Sequence, residues 1–140
     1  MKINWVAIFL ALFLVGVLIW IIAYQVKEHH LQDDPMLHRL KQVLLPVHPV
    51  VANLKLYKGD KSYTINKEKV FLCLKDKKTG EYYPLNHLCY VLLHEIAHVL
   101  NTKDVGHTEE FHRIFDDLLA KATNVGAFNP SIPVIQNYCE

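Results

Sequence analysis

The chain has almost no surplus of charge: of 140 residues, 15 are Lys or Arg and 14 are Asp or Glu. Lys2 is the one charged residue before position 25, so the rest of the chain is balanced at 14 against 14. Such a balance presents no basic field and gives no direct sign of a nucleic-acid partner. No second long apolar run follows the first, which excludes a multi-pass membrane protein. An ordinary globular composition beyond residue 24 excludes a disordered chain, and the length leaves room for one small core rather than a two-domain enzyme. There is no usable glycosylation acceptor, because Asn129 is followed by Pro130. Cysteine is scarce and odd in number: Cys73, Cys89 and Cys139 all sit in apolar settings. That pattern predicts buried free thiols rather than a disulfide framework, and a reducing compartment.

What the chain does have is unevenly placed. Residues 1–24 contain only Lys2, Asn4 and Gly16 outside the hydrophobic set. From Trp5 to Tyr24 there is no charge, and twenty helical residues rise about 30 Å, the thickness of a bilayer's hydrocarbon core. Trp5, Trp20 and Tyr24 lie toward the two ends, where amphipathic aromatics favour the interface. A cleaved signal peptide would have a shorter apolar region and a small-x-small site, whereas here Ala23 is followed by Tyr24 and Gln25. The reading is a single-pass membrane protein: flank 1–4, transmembrane anchor 5–24 in contact with membrane lipid, polar stalk 25–34, and a folded domain 35–140. Lys2 on one side and Lys27, Arg39 and Lys41 on the other, interrupted by Glu28, Asp33 and Asp34, assign no orientation.

The domain reads as α+β. Asp34-Pro35 is a helix start, and Leu37, Leu40 and Leu44 keep helical spacing until Pro46 and Pro49. Three short β-like runs follow, near 50–57, 62–66 and 69–74, with turn signals at Gly59-Asp60 and Asn66, and predict a small antiparallel meander. After a charged loop at 76–83, Pro84 opens a long helix in which Leu85, Leu88, Leu92, Ile96 and Val99 recur every three or four residues.

That helix carries His94-Glu95-Ile96-Ala97-His98. Residues four apart share a helix face, so both imidazoles can hold one metal ion, with Glu95 beside them as a proton acceptor and donor. In a zinc site Glu95 takes a proton from the metal-activated water and returns it to the leaving amine. A catalytic site needs a third protein ligand and an open position. His107 stands at the mouth of the next helix, whose inner face is Phe111, Ile114, Phe115, Leu118 and Leu119. Glu110, Asp104 and His112 compete for the role. His107 is preferred because acidic residues at 109 and 110 already suit a helix's first turn, while His112 shares the polar side with Arg113 and Asp116.

The segment HEIAHVLNTKDVGHTEEF resembles the active-site region of SprT-like and WLM-type zinc metallopeptidases, in which HExxH is followed by a His, often after Gly, and then by an aromatic residue. TINKEKVFLCL through GEYYPLNHLCYVLLHEIAH is similar too, more to WLM-type domains than to SprT proper. The resemblance covers roughly residues 35–139. It implies a minimal zincin core of helix, three-stranded antiparallel sheet, HExxH helix and second helix. It also implies Zn²⁺ held by His94, His98 and His107, Glu95 as catalytic acid/base, and a protein or peptide substrate. The strand near Val70–Leu74 would then be the edge on which an extended peptide pairs.

Other residues read more plainly. Tyr82, Tyr83, Tyr90 and Tyr138 are packing residues first, although any of their hydroxyls could face a tetrahedral intermediate. His87 is two turns from His94, too far for the same ion, and His29 and His30 belong to a solvated stalk. The tail SIPVIQNYCE suggests one strand or coil laid on the core, with no chemistry for Cys139. The expected function is therefore a membrane-tethered zinc metallopeptidase. The alternative is a catalytically weak or inactive zinc-binding domain acting as a membrane-anchored interaction module, since so small a domain has little surface for a cleft.

Overall fold

The computed structural model describes residues 1–140 and divides them into two compact units, residues 1–31 and 32–140. The first is one helix, α1 (Trp5–Gln32), with no buried residue. It is long and apolar enough to cross a membrane once. At about 42 Å it exceeds a hydrocarbon core of about 30 Å. The expected stalk is thus the polar continuation of the apolar helix as far as Gln32.

The second unit is α+β. Helix α2 (Pro35–Leu44) starts where Asp34 Oδ1 accepts the Met36 N–H at 2.9 Å and where Pro35 supplies a preset φ. It buries Leu37, Leu40 and Leu44. The run from residue 50 was expected to be extended, yet Pro49–Asn53 forms a 3₁₀ helix because His48 Nδ1 accepts the Val50 N–H at 3.1 Å and caps a proline-led turn. Only Lys55–Lys58 enter the sheet as β1, followed by β2 (Tyr63–Ile65) and β3 (Lys69–Leu72).

The sheet is mixed, which corrects the antiparallel meander. Its order is β1-β3-β2, with β2 antiparallel and β1 parallel to β3. The cause is the turn at Asn66 and Lys67, both left-handed (φ 52° and 55°) and closed by the Glu68 N–H to the Ile65 carbonyl. Two consecutive left-handed residues make the tight hairpin that pairs β2 with β3, so β1 takes the other side of β3. The strand expected to be a free edge, Val70–Leu74, is therefore central at β3, and β2 is an edge. Tyr57, Phe71 and Tyr63 stand opposite one another in register and stack across one face, with centroids 4.8 Å apart in each pair. Val70 and Leu72 point the other way into the core.

Helix α3 (Leu85–Leu100) runs through that core, with Leu88, Leu92, Leu93 and Ile96 fully buried. Helix α4 (Glu109–Asn124) is capped by Thr108, whose hydroxyl accepts the Phe111 N–H, and packs Phe111, Phe115, Leu118 and Ala122 inward. Residues 125–140 follow as an irregular tail fastened to α3 and to the end of β3.

The tail overturns the expectation of three free thiols, because Cys73 and Cys139 form a disulfide and only Cys89 stays reduced and buried. The apolar settings arise from the packing of the tail: the Tyr138 hydroxyl donates to the Cys73 carbonyl, and the Cys139 N–H donates to the Tyr83 hydroxyl at 2.9 Å.

Candidate metal centre

Helical spacing brings His94 and His98 to one face of α3, with ring centroids 5.0 Å apart. The loop after Asn101 returns the chain so that His107 closes the group: its Nε2 lies 3.0 Å from His94 Nε2, and one nitrogen from each of the three rings falls within 4.8 Å of the others. Three nitrogens around a tetrahedral zinc at 2.0–2.1 Å stand about 3.3 Å apart, so the trio needs only small side-chain adjustments to hold one ion. Of the competing third ligands, Glu110 is taken up by Arg113 (2.7 Å) and Asp104 by the Thr108 hydroxyl (2.6 Å). His112 is not in the cluster.

The loop is built to deliver His107. Asn101, only 2% exposed, accepts the N–H groups of Lys103 and Asp104 and donates to the Asp104 carboxylate. Gly106 adopts φ +92°, a conformation that side chains resist, immediately before the ligand. Phe111 lies beneath all three rings, stacked on His98 at 4.4 Å and meeting His94 and His107 edge-on at 4.9 and 5.0 Å. The aromatic residue that follows the third His in sequence is thus a platform for the ligands.

Glu95, 6% exposed, lines the same cavity as the three imidazoles and accepts a hydrogen bond from the Thr64 hydroxyl of β2 at 2.7 Å. Burial raises its pKa, while the Thr64 bond and the nearby His107 pull the other way. A carboxyl raised toward neutrality suits a group that must both take and give a proton. The Thr64 partner was not visible in the sequence, where nothing connects residues 64 and 95. A half-buried threonine between the exposed Tyr63 and Ile65 carries no signal until the hairpin register is known.

Burial lowers the pKa of His94 to about 4, helped by repulsion from His98, His107 and His112. His98 is lowered by burial and then by His107. Neutral imidazoles keep the lone pairs that a metal needs. His87 is also lowered by burial; it is 5% exposed, and its Nδ1 accepts the Ile135 N–H at 3.3 Å. Its Nε2 is the buried side-chain atom without a hydrogen-bond partner, and the Tyr138 ring meets the imidazole edge to face at 4.7 Å. His87 lies outside the metal cluster.

These shifts set a pH dependence for the metal-free chain. Unfolded imidazoles protonate near 6.5, whereas the folded ones do so lower, so the stability they contribute is present above 6.5 and lost as pH falls toward 4. Glu95 opposes this from its raised pKa, favouring the folded state below 4.5 and losing that contribution as pH rises through its folded value. His48 is lowered by burial as well, so with four imidazoles against one raised carboxyl the melting temperature of the chelator-treated chain is expected to fall between pH 7 and pH 5. A flat or rising profile would contradict the buried-imidazole geometry.

No known family profile matches the chain, and no solved structure matches it. Among curated proteins, it is 49% identical over 92 residues to "Uncharacterized protein 136R" of Invertebrate iridescent virus 6, covering 64% of this chain and 51% of that protein. It is 44% identical over 90 residues to "Uncharacterized protein 042R" of Invertebrate iridescent virus 3, covering 64% and 56%. A shorter match, 46% over 55 residues, is to "Uncharacterized protein R325" of Acanthamoeba polyphaga mimivirus, covering 39% and 27%. The chain spans about half the length of the first two relatives.

Proposed function

We propose that residues 32–140 form a zinc-dependent peptidase of minimal zincin type, akin to the SprT-like and WLM-type enzymes, and that α1 anchors it in a membrane. The observation that carries the reading is the convergence of His94, His98 and His107 beside a buried carboxyl whose pKa is raised. The donor set fits zinc: three imidazole nitrogens, two from one helix and one from a pinned loop, are the ligand number of catalytic sites that keep one position open. When bound there, zinc would polarise a substrate carbonyl and acidify water.

The chain's own groups supply the rest. Glu95 accepts a proton from the attacking water and delivers it to the departing amine, and the Thr64 hydroxyl holds one of its oxygens so that the other is free for the transfer. The unpaired edge of β2 offers backbone groups to an extended peptide, in place of the buried β3. Thr64 belongs to that same strand, so a peptide added there would lie within reach of Glu95. A cavity of about 570 Å³, lined by Thr64, Lys67, His94, Glu95, His98 and His107, gives it a place.

The test is hydrolysis of an unfolded protein such as casein by the full chain in detergent. Cleavage is expected to stop on treatment with a zinc chelator and to return on adding back about one equivalent of zinc. Cleavage that persists through chelation would exclude the metallopeptidase.

A further inference from the structure

The aromatic row on the outer face of the sheet has one closed end and one open end. Tyr57 on β1 is 2% exposed, whereas Tyr63 on β2 is 44% exposed. Between them the Phe71 ring lies 4.8 Å from each, with interplanar angles of 15° and 6°. That spacing matches the distance between neighbouring strands, about 4.7–4.9 Å, so the stack follows the strand repeat. Phe71 covers one face of the Tyr63 ring, and β2 is the last strand in the sheet order. Two residues along, Ile65 stands in register with Lys69 and is 39% exposed. Thr64 between them turns to the opposite side of the sheet, where it donates to Glu95.

We infer that the open end of this row selects the peptide that pairs with β2, favouring an aromatic side chain opposite Tyr63 and an aliphatic one two residues away, opposite Ile65. The inference rests on the peptidase reading for calling that peptide a substrate, and it adds the substrate class. The occupant follows from position: Tyr63 and Thr64 border the cavity of the candidate site, so a strand on this edge passes it. An added strand lies one strand spacing beyond β2 and alternates its side chains in step with β2. Its residue opposite Thr64 turns toward the metal side, and the two neighbours turn to the outer face, beside Tyr63 and Ile65. An aromatic ring beside Tyr63 extends the stack to a fourth member and buries the ring face that Phe71 leaves uncovered. The preference therefore concerns side chains on the face turned away from the metal. Either strand direction satisfies the alternation, giving Phe-x-Val in one sense and Val-x-Phe in the other.

The experiment measures binding rather than cleavage, by fluorescence anisotropy, on the zinc-loaded full chain carrying Glu95→Gln in detergent. The probes are short labelled peptides centred on Phe-Thr-Val or Val-Thr-Phe, each with a twin that has Ala in place of Phe. One order is expected to bind roughly 5- to 20-fold tighter than its twin, the size of an aromatic pair with its buried area. Tyr63→Thr, which keeps a strand-forming residue, is expected to remove the difference, and Tyr63→Phe to retain it, both with unchanged zinc content. Methylation of the central backbone nitrogens of the peptide is expected to abolish binding, because strand pairing uses those N–H groups. Equal binding of the Phe and Ala twins, or a difference that survives Tyr63→Thr, overturns the inference, while casein hydrolysis by the parent chain leaves the peptidase standing. So does the absence of any peptide binding, or an edge closed by a second copy, seen as a dimer that Tyr63→Thr dissociates. A Tyr63-dependent preference in a parent chain that cleaves no casein overturns the peptidase and keeps the edge as a peptide-binding site.

Discussion

Glu95→Gln is expected to lower peptide hydrolysis by about 10²- to 10⁴-fold while the chain keeps its zinc, the range attributed to a positioned acid–base group. Glutamine has nearly the same shape and can still accept from the Thr64 hydroxyl, so the buried contact at 2.7 Å survives. It cannot take a proton from water, and the ligand nitrogens of His94, His98 and His107 are untouched. Loss of activity with retained metal therefore isolates proton transfer from folding and from metal binding. If Glu95→Gln cleaved as fast as the parent chain, the enzyme reading would fall, and the membrane-anchored zinc-binding interaction module would take its place.

Breaking the Cys73–Cys139 bond is expected to remove about 4 kcal/mol of stability, from the chain-entropy cost of closing a loop of this length; the cysteines are 66 positions apart. The loop encloses α3, α4 and the tail, so the cross-link restrains most of the functional unit in its unfolded ensemble. Urea unfolding of Cys139→Ser against the parent chain measures the difference, and a loss under about 1 kcal/mol would contradict the structural role. Alkylation of the unreduced, denatured chain should label Cys89 alone. In the native state Cys89 should stay unlabelled, since burial pushes its thiol up to about 11. Because such a bond persists in oxidising surroundings, we expect the folded unit on the non-cytosolic side of the membrane. A C-terminal tag should then be protected from added protease in sealed vesicles, which reverses the compartment that the cysteine count suggested.

What could be read from residues alone was whatever repeats along one element. The spacing of Leu37, Leu40 and Leu44 gave α2. The run from Leu85 to Val99 gave α3, and the four-residue offset of His94 and His98 put both on one face. His107 was reachable because it lies one short loop away, next to a glycine whose backbone freedom the turn uses. What could not be read depends on contacts between distant elements. The parallel pairing of β1 with β3 follows from two left-handed residues, Asn66 and Lys67, neither of which is glycine, so the hairpin carried a weak signal. Thr64 reaches Glu95 only once that register exists. The cysteines misled because an odd count and apolar neighbours describe free buried thiols equally well, and only the path of the tail brings Cys139 to Cys73.

The central claim is that His94, His98 and His107 hold one zinc ion and leave a position open. X-ray absorption at the zinc edge, together with metal analysis of the purified full chain, tests it most directly. The expected result is about one zinc per chain, ligated at about 2.0 Å by three imidazole nitrogens and one further oxygen, with the metal lost from His94→Ala and weakened in His107→Ala. A chain that binds no zinc at micromolar concentration, or whose zinc sphere contains sulfur or survives His94→Ala unchanged, would contradict it.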